Sequence, residues 1–208
     1  MSREGAVVFV VDDDFSVRES IEDLLRSVGH DVRSYDSVAA FLEDRRVDHP
    51  ACLVLDVRLP DTSGLEFQQL LLTQGMNLPI VFITGHGDIP MSVAAMKAGA
   101  IEFLTKPFRD QDLLDAVHAG IALDRRRRAD EETLASLKER HASLTPREQE
   151  TMALVVNGLM NKQIAAALGL SEMTVKVHRA HVMRKMNAAS LPELVRIADS
   201  LAGMTTRA

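Results

Sequence analysis

Five short apolar, β-prone runs, at residues 6–11, 31–35, 51–55, 79–83 and 100–104, are each followed by a segment with helical spacing. Between the first two, Val17, Ile21, Leu24, Leu25 and Val28 recur on one helical face, and Gly29 supplies the stop. Similar segments follow Ser37, Ser63, Pro90 and Asp110. This alternation predicts a doubly wound α/β domain: a five-stranded parallel sheet with helices on both faces and right-handed crossovers. In such a sheet ligands bind in the crevice beyond the carboxyl ends of the strands.

Each residue at those ends alone is an ordinary turn, cap or surface residue, and their common placement at strand termini carries the weight. Asp12 and Asp13 end the first run, Asp56 the third and Thr84 the fourth, and Lys106 lies just past the fifth. Three converging carboxylates repel one another, so either their pKa values rise or a cation neutralises them. An all-oxygen, partly hydrated site near a phosphoryl group suits Mg2+, or Mn2+ in its place. Lys106, a compact ammonium, and Thr84, a hydroxyl donor, fit an oxyanion. Asp14, followed by Phe15 and Ser16, reads as a helix cap.

The net charge of -6 conceals an asymmetry: residues 1–123 carry 10 Lys/Arg against 20 Asp/Glu, and residues 124–208 carry 14 against 10. Two modules with different partners are expected, divided as 1–123, a helical linker at 124–143, and 144–208. No apolar run approaches the roughly 18 residues of a membrane span, and the start, MSREG, does not read as a signal peptide. With one cysteine, Cys52, inside the apolar stretch ACLVL, the expectation is a cytoplasmic protein with no membrane partner.

Residues 109–143 have no strong break except Gly120, so the last helix of the first module is expected to continue into the linker. Arg127 with Glu131 and Arg128 with Glu132 are i, i+4 pairs, and the run RRRR at 125–128 reads as a solvated helical face. Beyond it, TPRE at 145–148 is a capping box, and SLPE at 190–193 repeats the pattern. Between them lie a helix over Asn161–Leu168, a turn at Gly169 and a longer basic helix capped by Ser171, an all-α helix-turn-helix arrangement of four helices in total. Val175, Val182 and Met186 form the packed stripe of the second of these helices, leaving Lys176, Arg179 and Arg184 on free faces. A helix in the major groove would present Lys176 and Val177 to bases, with Thr174 also at the DNA and Lys162, Arg179, Arg184 and Lys185 on phosphates of double-stranded DNA. His178 and His181 stand three apart but have no third ligand to make a metal site.

The combination VVDDD, LVLDVRLP, FITGHGD and FLTKPF resembles the flavodoxin-like receiver domain of two-component response regulators. The stretch SLTPREQETMALVVNGLMNKQIAAALGLSEMTVKVHRAHVMRKM resembles the LuxR-type effector domain of the NarL/FixJ response regulators. The resemblance implies that Asp56 is the phosphoacceptor for a sensor histidine kinase. Asp13, Asp56 and the backbone carbonyl of Arg58 would then hold Mg2+, with Asp12 acting through water. It further implies that Thr84 and Phe103 move on phosphorylation, that Lys106-Pro107 is cis, and that a phosphorylated homodimer binds promoter DNA and meets RNA polymerase. Tyr is frequent in the family at the position of Phe103, and some members have a long polar side chain where this chain has Ala180. The dimer face expected in the receiver is the fourth helix with the fifth strand, including Met91, Met96, Lys97 and Phe103, because these lie beside the switch; the resemblance implies a second face in the final helix, at Leu191, Leu194, Val195 and Ala198. Two other readings compete: a phosphorylation-independent DNA binder, and a Mg2+-dependent phosphohydrolase. The second would need a general acid or base beside Asp56, which Arg58 does not supply.

Overall fold

The computed structural model describes residues 5–43, 49–60 and 62–202. The chain divides into two compact units, Met1–Arg128 and Ala129–Ala208.

The first unit alternates strictly: β1 (Val7–Val11), α1 (Phe15–Ser27), β2 (Asp31–Tyr35), α2 (Val38–Glu43), β3 (Ala51–Asp56), α3 (Gly64–Thr73), β4 (Ile80–Thr84), α4 (Ile89–Lys97), β5 (Glu102–Thr105) and α5 (Asp110–Ala142). The strands form one parallel sheet in the order β2-β1-β3-β4-β5. Because the chain leaves β1 toward β2 and returns to β3 on the other side, the topological switch lies between β1 and β3. Alternation along the central strands builds two cores. Val7, Phe9, Val11, Leu53, Leu55 and Phe82 pack with Phe41, Phe67, Leu71 and Ala95 from α2, α3 and α4. Val8, Val10, Cys52, Val54, Val81 and Ile83 pack on the opposite face with Ile21, Leu25, Leu113 and Val117 from α1 and α5. Each fully buried Val, Leu, Ile or Phe contributes about 1.5–3 kcal/mol of transfer free energy, which fixes the register of the central strands. Burial pushes the Cys52 thiol up to about 12, so it is an inert core residue.

As expected, α5 runs unbroken through the linker, to Ala142. Its buried residues, Leu113, Ala116, Val117, Gly120, Ile121 and Asp124, end at Asp124. The arginine run is not the uniformly solvated face that the sequence suggested. Arg125 and Arg126 are exposed, but Arg127 and Arg128 turn back onto Asp124. That carboxylate is fully buried: Oδ1 accepts from Arg127 Nε at 3.1 Å, and Oδ2 accepts from Arg128 Nε at 2.8 Å and from the Ala51 N–H at 2.9 Å. A buried carboxylate needs countercharge, and that need recruits the two arginines one turn later. Burial alone would raise the Asp124 pKa, but the bonds from Arg128, Arg127 and Ala51 hold it below its ordinary value.

In the second unit, α6 (Pro146–Val156), α7 (Asn161–Leu168), α8 (Glu172–Lys185) and α9 (Leu191–Ala202) surround a core of Met152, Val155, Ile164, Val175, Val182, Met186 and Leu194. The Thr145–Glu148 capping box is present: Thr145 N–H donates to Glu148 Oε2 at 2.8 Å and Glu148 N–H to Thr145 Oγ1 at 3.3 Å. At α9 half of the second predicted box forms: the Glu193 N–H donates to Ser190 Oγ at 3.4 Å, but Glu193 Oε2 takes the N–H of Ala189 at 2.8 Å rather than that of Ser190. Gly169 ends α7 in the left-handed region and Ser171 caps α8 through the Thr174 N–H at 3.1 Å, which makes the expected helix-turn-helix. Among the described residues no helix is long and apolar enough to cross a membrane.

Candidate functional site

The strand ends deliver the acidic residues to one edge. Asp12, Asp13 and Asp56 each present a carboxylate oxygen, and these oxygens all lie within 4.8 Å of one another. Asp12 and Asp56 are buried and Asp13 is exposed. Lys106, from the loop after β5, bridges the two buried acids, with Nζ at 2.6 Å from Asp12 Oδ2 and 3.2 Å from Asp56 Oδ2. Burial pushes the Asp12 carboxyl above its ordinary pKa even though Lys106 and the Asp14 N–H draw it down. Burial works against the Lys106 charge, yet Asp12 and then Asp56 raise its pKa, so it remains an ammonium. Three hard oxygen donors, two walled by protein and one open to water, fit a small divalent cation such as Mg2+ or Mn2+.

The loop around Asp56 is pinned locally. Asp56 Oδ1 accepts from the Arg58 N–H at 3.2 Å, Arg58 forms a β-bridge with Ser63, and Ser63 caps α3 in a box with Glu66. Gly64 was not singled out from the sequence, yet it decides this loop: a Cβ there would lie 2.5 Å from the Asp56 carbonyl oxygen and 3.1 Å from Val57 Cα. On the other side of Asp56, Thr84 is buried at the end of β4, and its Oγ1 accepts from the His86 N–H at 3.2 Å. Phe103 is half-buried, its ring centroid 6.3 Å from that of Phe82. A Cβ at Gly87 would lie 2.9 Å from Phe103 Cε1, so the glycine makes room for the ring beside the loop that follows Thr84. The Lys106-Pro107 peptide is cis.

On α4 the exposed large hydrophobic residues are Ile89, Val93 and Met96, at helical spacing, with Lys97 also exposed. Met91 does not share that face: it packs on the core beneath α4. On α9, Leu194 is fully buried in the core of its own unit and Ala198 packs against it, because the apolar face of α9 closes that core. Of the four α9 residues named from the sequence, Leu191 is exposed, Val195 and Ala198 are half-buried, and Leu194 is buried.

The free surface of α8 carries Met173, Lys176, Val177, Ala180 and Arg184, and Lys162 is exposed on α7. Thr174 is half-buried and its hydroxyl shares a 2.8 Å hydrogen bond with Ser171. Arg179 donates to Asn161 Oδ1 at 3.1 Å, which ties α8 to the first helix of the motif. Lys185 is committed inward: Nζ lies 2.6 Å from Glu148 Oε2 and 3.1 Å from the Ser143 carbonyl. Glu148 also faces His181 Nδ1 at 3.2 Å, and Lys185, the Thr145 N–H and the Thr145 hydroxyl together bring its pKa to about 2.

Comparison with known proteins gives both halves a family. Residues 8–118 match the response regulator receiver domain, and residues 142–198 match the bacterial regulatory proteins of the luxR family. Nodulation protein W of Bradyrhizobium diazoefficiens is 55% identical over 94% of this chain and 86% of its own length. The transcriptional regulatory protein FixJ of Azorhizobium caulinodans is 46% identical, covering 94% of this chain and 92% of its own. Among solved structures, the response regulator StyR has a TM-score of 0.86 at 53% identity, over 94% of this chain and 98% of that one.

Proposed function

This chain belongs to the two-component response regulators that join a receiver domain to a LuxR-type DNA-binding domain, and we propose that Asp56 takes a phosphoryl group to control promoter binding by the second domain. It is a transcriptional regulator rather than an enzyme acting on a free substrate. The observation that carries the proposal is the bridging of Asp12 and Asp56 by Lys106 beside the three-carboxylate cluster.

The donor is the phosphohistidine of a sensor kinase. An Asp56 oxygen bonds to phosphorus as the bond from phosphorus to the imidazole nitrogen breaks, and the imidazole leaves with the bonding pair. A divalent cation at Asp12, Asp13 and Asp56, completed by the Arg58 carbonyl, would offset charge on the transferring group. Lys106 neutralises a phosphoryl oxygen from the other side, and the Arg58 N–H keeps the Asp56 carboxylate aligned. Thr84 ends the strand beside Asp56; its oxygen accepts from the His86 N–H, its own O–H can donate to a phosphoryl oxygen, and Phe103 then follows into the space beside it.

For the second domain, the exposed face of α8 enters the major groove, with Lys176 and Val177 at base edges and Lys162, Arg179 and Arg184 on phosphates. Thr174 lies at the start of that face, and Lys185 serves the domain's own fold. Phosphorylation favours a homodimer through the exposed stripe of α4, with Leu191 and Val195 available on α9, and the dimer on DNA is what RNA polymerase would meet. The assignment is cytoplasmic.

The test is intact-mass analysis after incubation with Mg2+ and acetyl phosphate, followed by DNA binding. The native chain gains one phosphoryl group and Asp56→Asn gains none. Lys176→Ala keeps phosphorylation but loses sequence-selective binding. Phosphorylation of Asp56→Asn to the native extent would refute the site.

A further inference from the structure

The turn from β1 to α1 carries two of the three clustered carboxylates, and a residue outside the cluster holds its backbone. Nη1 of Arg18 donates to the carbonyl oxygen of Asp12 at 2.7 Å and to that of Asp13 at 3.2 Å. A guanidinium nitrogen of this kind has two hydrogens, so one end of Arg18 fixes two successive peptide planes. The rest of the turn is tied from inside: Asp14 N–H donates to Asp12 Oδ1 at 2.9 Å, and Asp14 Oδ1 caps α1 through the N–H groups of Ser16 at 2.8 Å and Val17 at 3.2 Å. Arg18 Cζ lies 5.6 Å from the centroid of the exposed Phe15 ring, which keeps the guanidinium over the turn.

Two adjacent carbonyls aimed at one point repel each other and need a donor to hold them there. Asp12 is buried and packing fixes it, but Asp13 is exposed, and its held backbone is what keeps its carboxylate in the cluster. We infer that Arg18 is a positioning residue for the divalent cation: by holding the carbonyls of Asp12 and Asp13 it aims the Asp13 carboxylate at the metal and so sets the affinity for Mg2+. This rests on the proposed cation site and deepens it. Charge and geometry act in opposite directions here. As a bare positive charge beside the site, Arg18 would weaken cation binding, and its removal would tighten it; as a positioning group, its removal loosens it.

The experiment is calorimetric titration of the full chain with MgCl2 and no phosphodonor, for the native protein, Arg18→Ala, Arg18→Lys and Arg26→Ala. Arg26 lies on the same helix, but its guanidinium pairs with Glu22 and not with the turn. Arg18→Ala is expected to weaken Mg2+ binding about tenfold, at the lower end of what losing an outer partner of a metal site costs. Arg18→Lys, a point charge without the fork, recovers part of it, and Arg26→Ala binds as the native chain does. Unchanged or tighter binding in Arg18→Ala, with native binding intact, overturns the positioning role alone. Equal weakening in Arg18→Ala and Arg26→Ala, with equal losses of thermal stability, also overturns it, because helix stability would then explain both. If the native chain takes no Mg2+, the cation site itself falls and this inference with it.

Discussion

At the scale of single residues the site depends on how closely the chain can approach itself. Gly64→Ala would push a methyl group into the Asp56 carbonyl, 2.5 Å away, so the β3–α3 loop must move. The expected result is a loss of about 1–3 kcal/mol, as for other overpacked positions, together with slower acceptance of phosphate by Asp56. Scanning calorimetry and the initial rate with acetyl phosphate read the two effects. Asp12, Asp13, Asp56, Thr84 and Lys106 were legible in the sequence because each follows an apolar strand, and topology sends all strand ends to one edge. Gly64 and Arg18 were not, because their roles depend on which atoms lie across a turn. Nothing in the local spelling of SGLEF or VRES reports that.

At the scale of elements, two buried carboxylates join helices to their surroundings, and each yields a prediction. Asp124 fastens α5 to the start of β3, the strand whose other end is Asp56. Asp124→Ala leaves the Ala51 N–H without its partner and removes the Asp124 carboxylate from Arg127 and Arg128; the expected cost is about 2–3 kcal/mol in the receiver's unfolding transition. Glu148 ties α6 to α8 through Lys185 and His181. Its folded pKa, about 2, lies below its ordinary 4.5, so its contribution is complete above pH 4.5 and is lost as pH falls toward 2. Glu148→Gln should therefore melt at a lower temperature than the native chain at pH 7, with the gap closing between pH 4.5 and 2. Helical spacing predicted α5 and the helix-turn-helix well. It missed the buried partner of the arginine run, since i, i+4 arithmetic pointed forward to Glu131 and Glu132 and could not reveal that Asp124 was buried. The family resemblance placed Leu194 on a dimer face, and its apolar stripe fitted, because such a stripe looks the same whether it closes a core or awaits a partner.

At the scale of the whole molecule, the acidic first half and the basic second half carry the two functions, and a single helix, α5, runs through the division between them. The central claim is that the carboxylate cluster is a phosphoryl switch coupled to assembly. Sedimentation velocity with Mg2+ and beryllium fluoride, which stands in for the phosphoryl group on an aspartate, tests it most directly beside an Asp56→Asn control. The native chain is expected to shift from monomer to dimer and Asp56→Asn to stay monomeric. An unchanged native chain, or the same shift in Asp56→Asn, would contradict it.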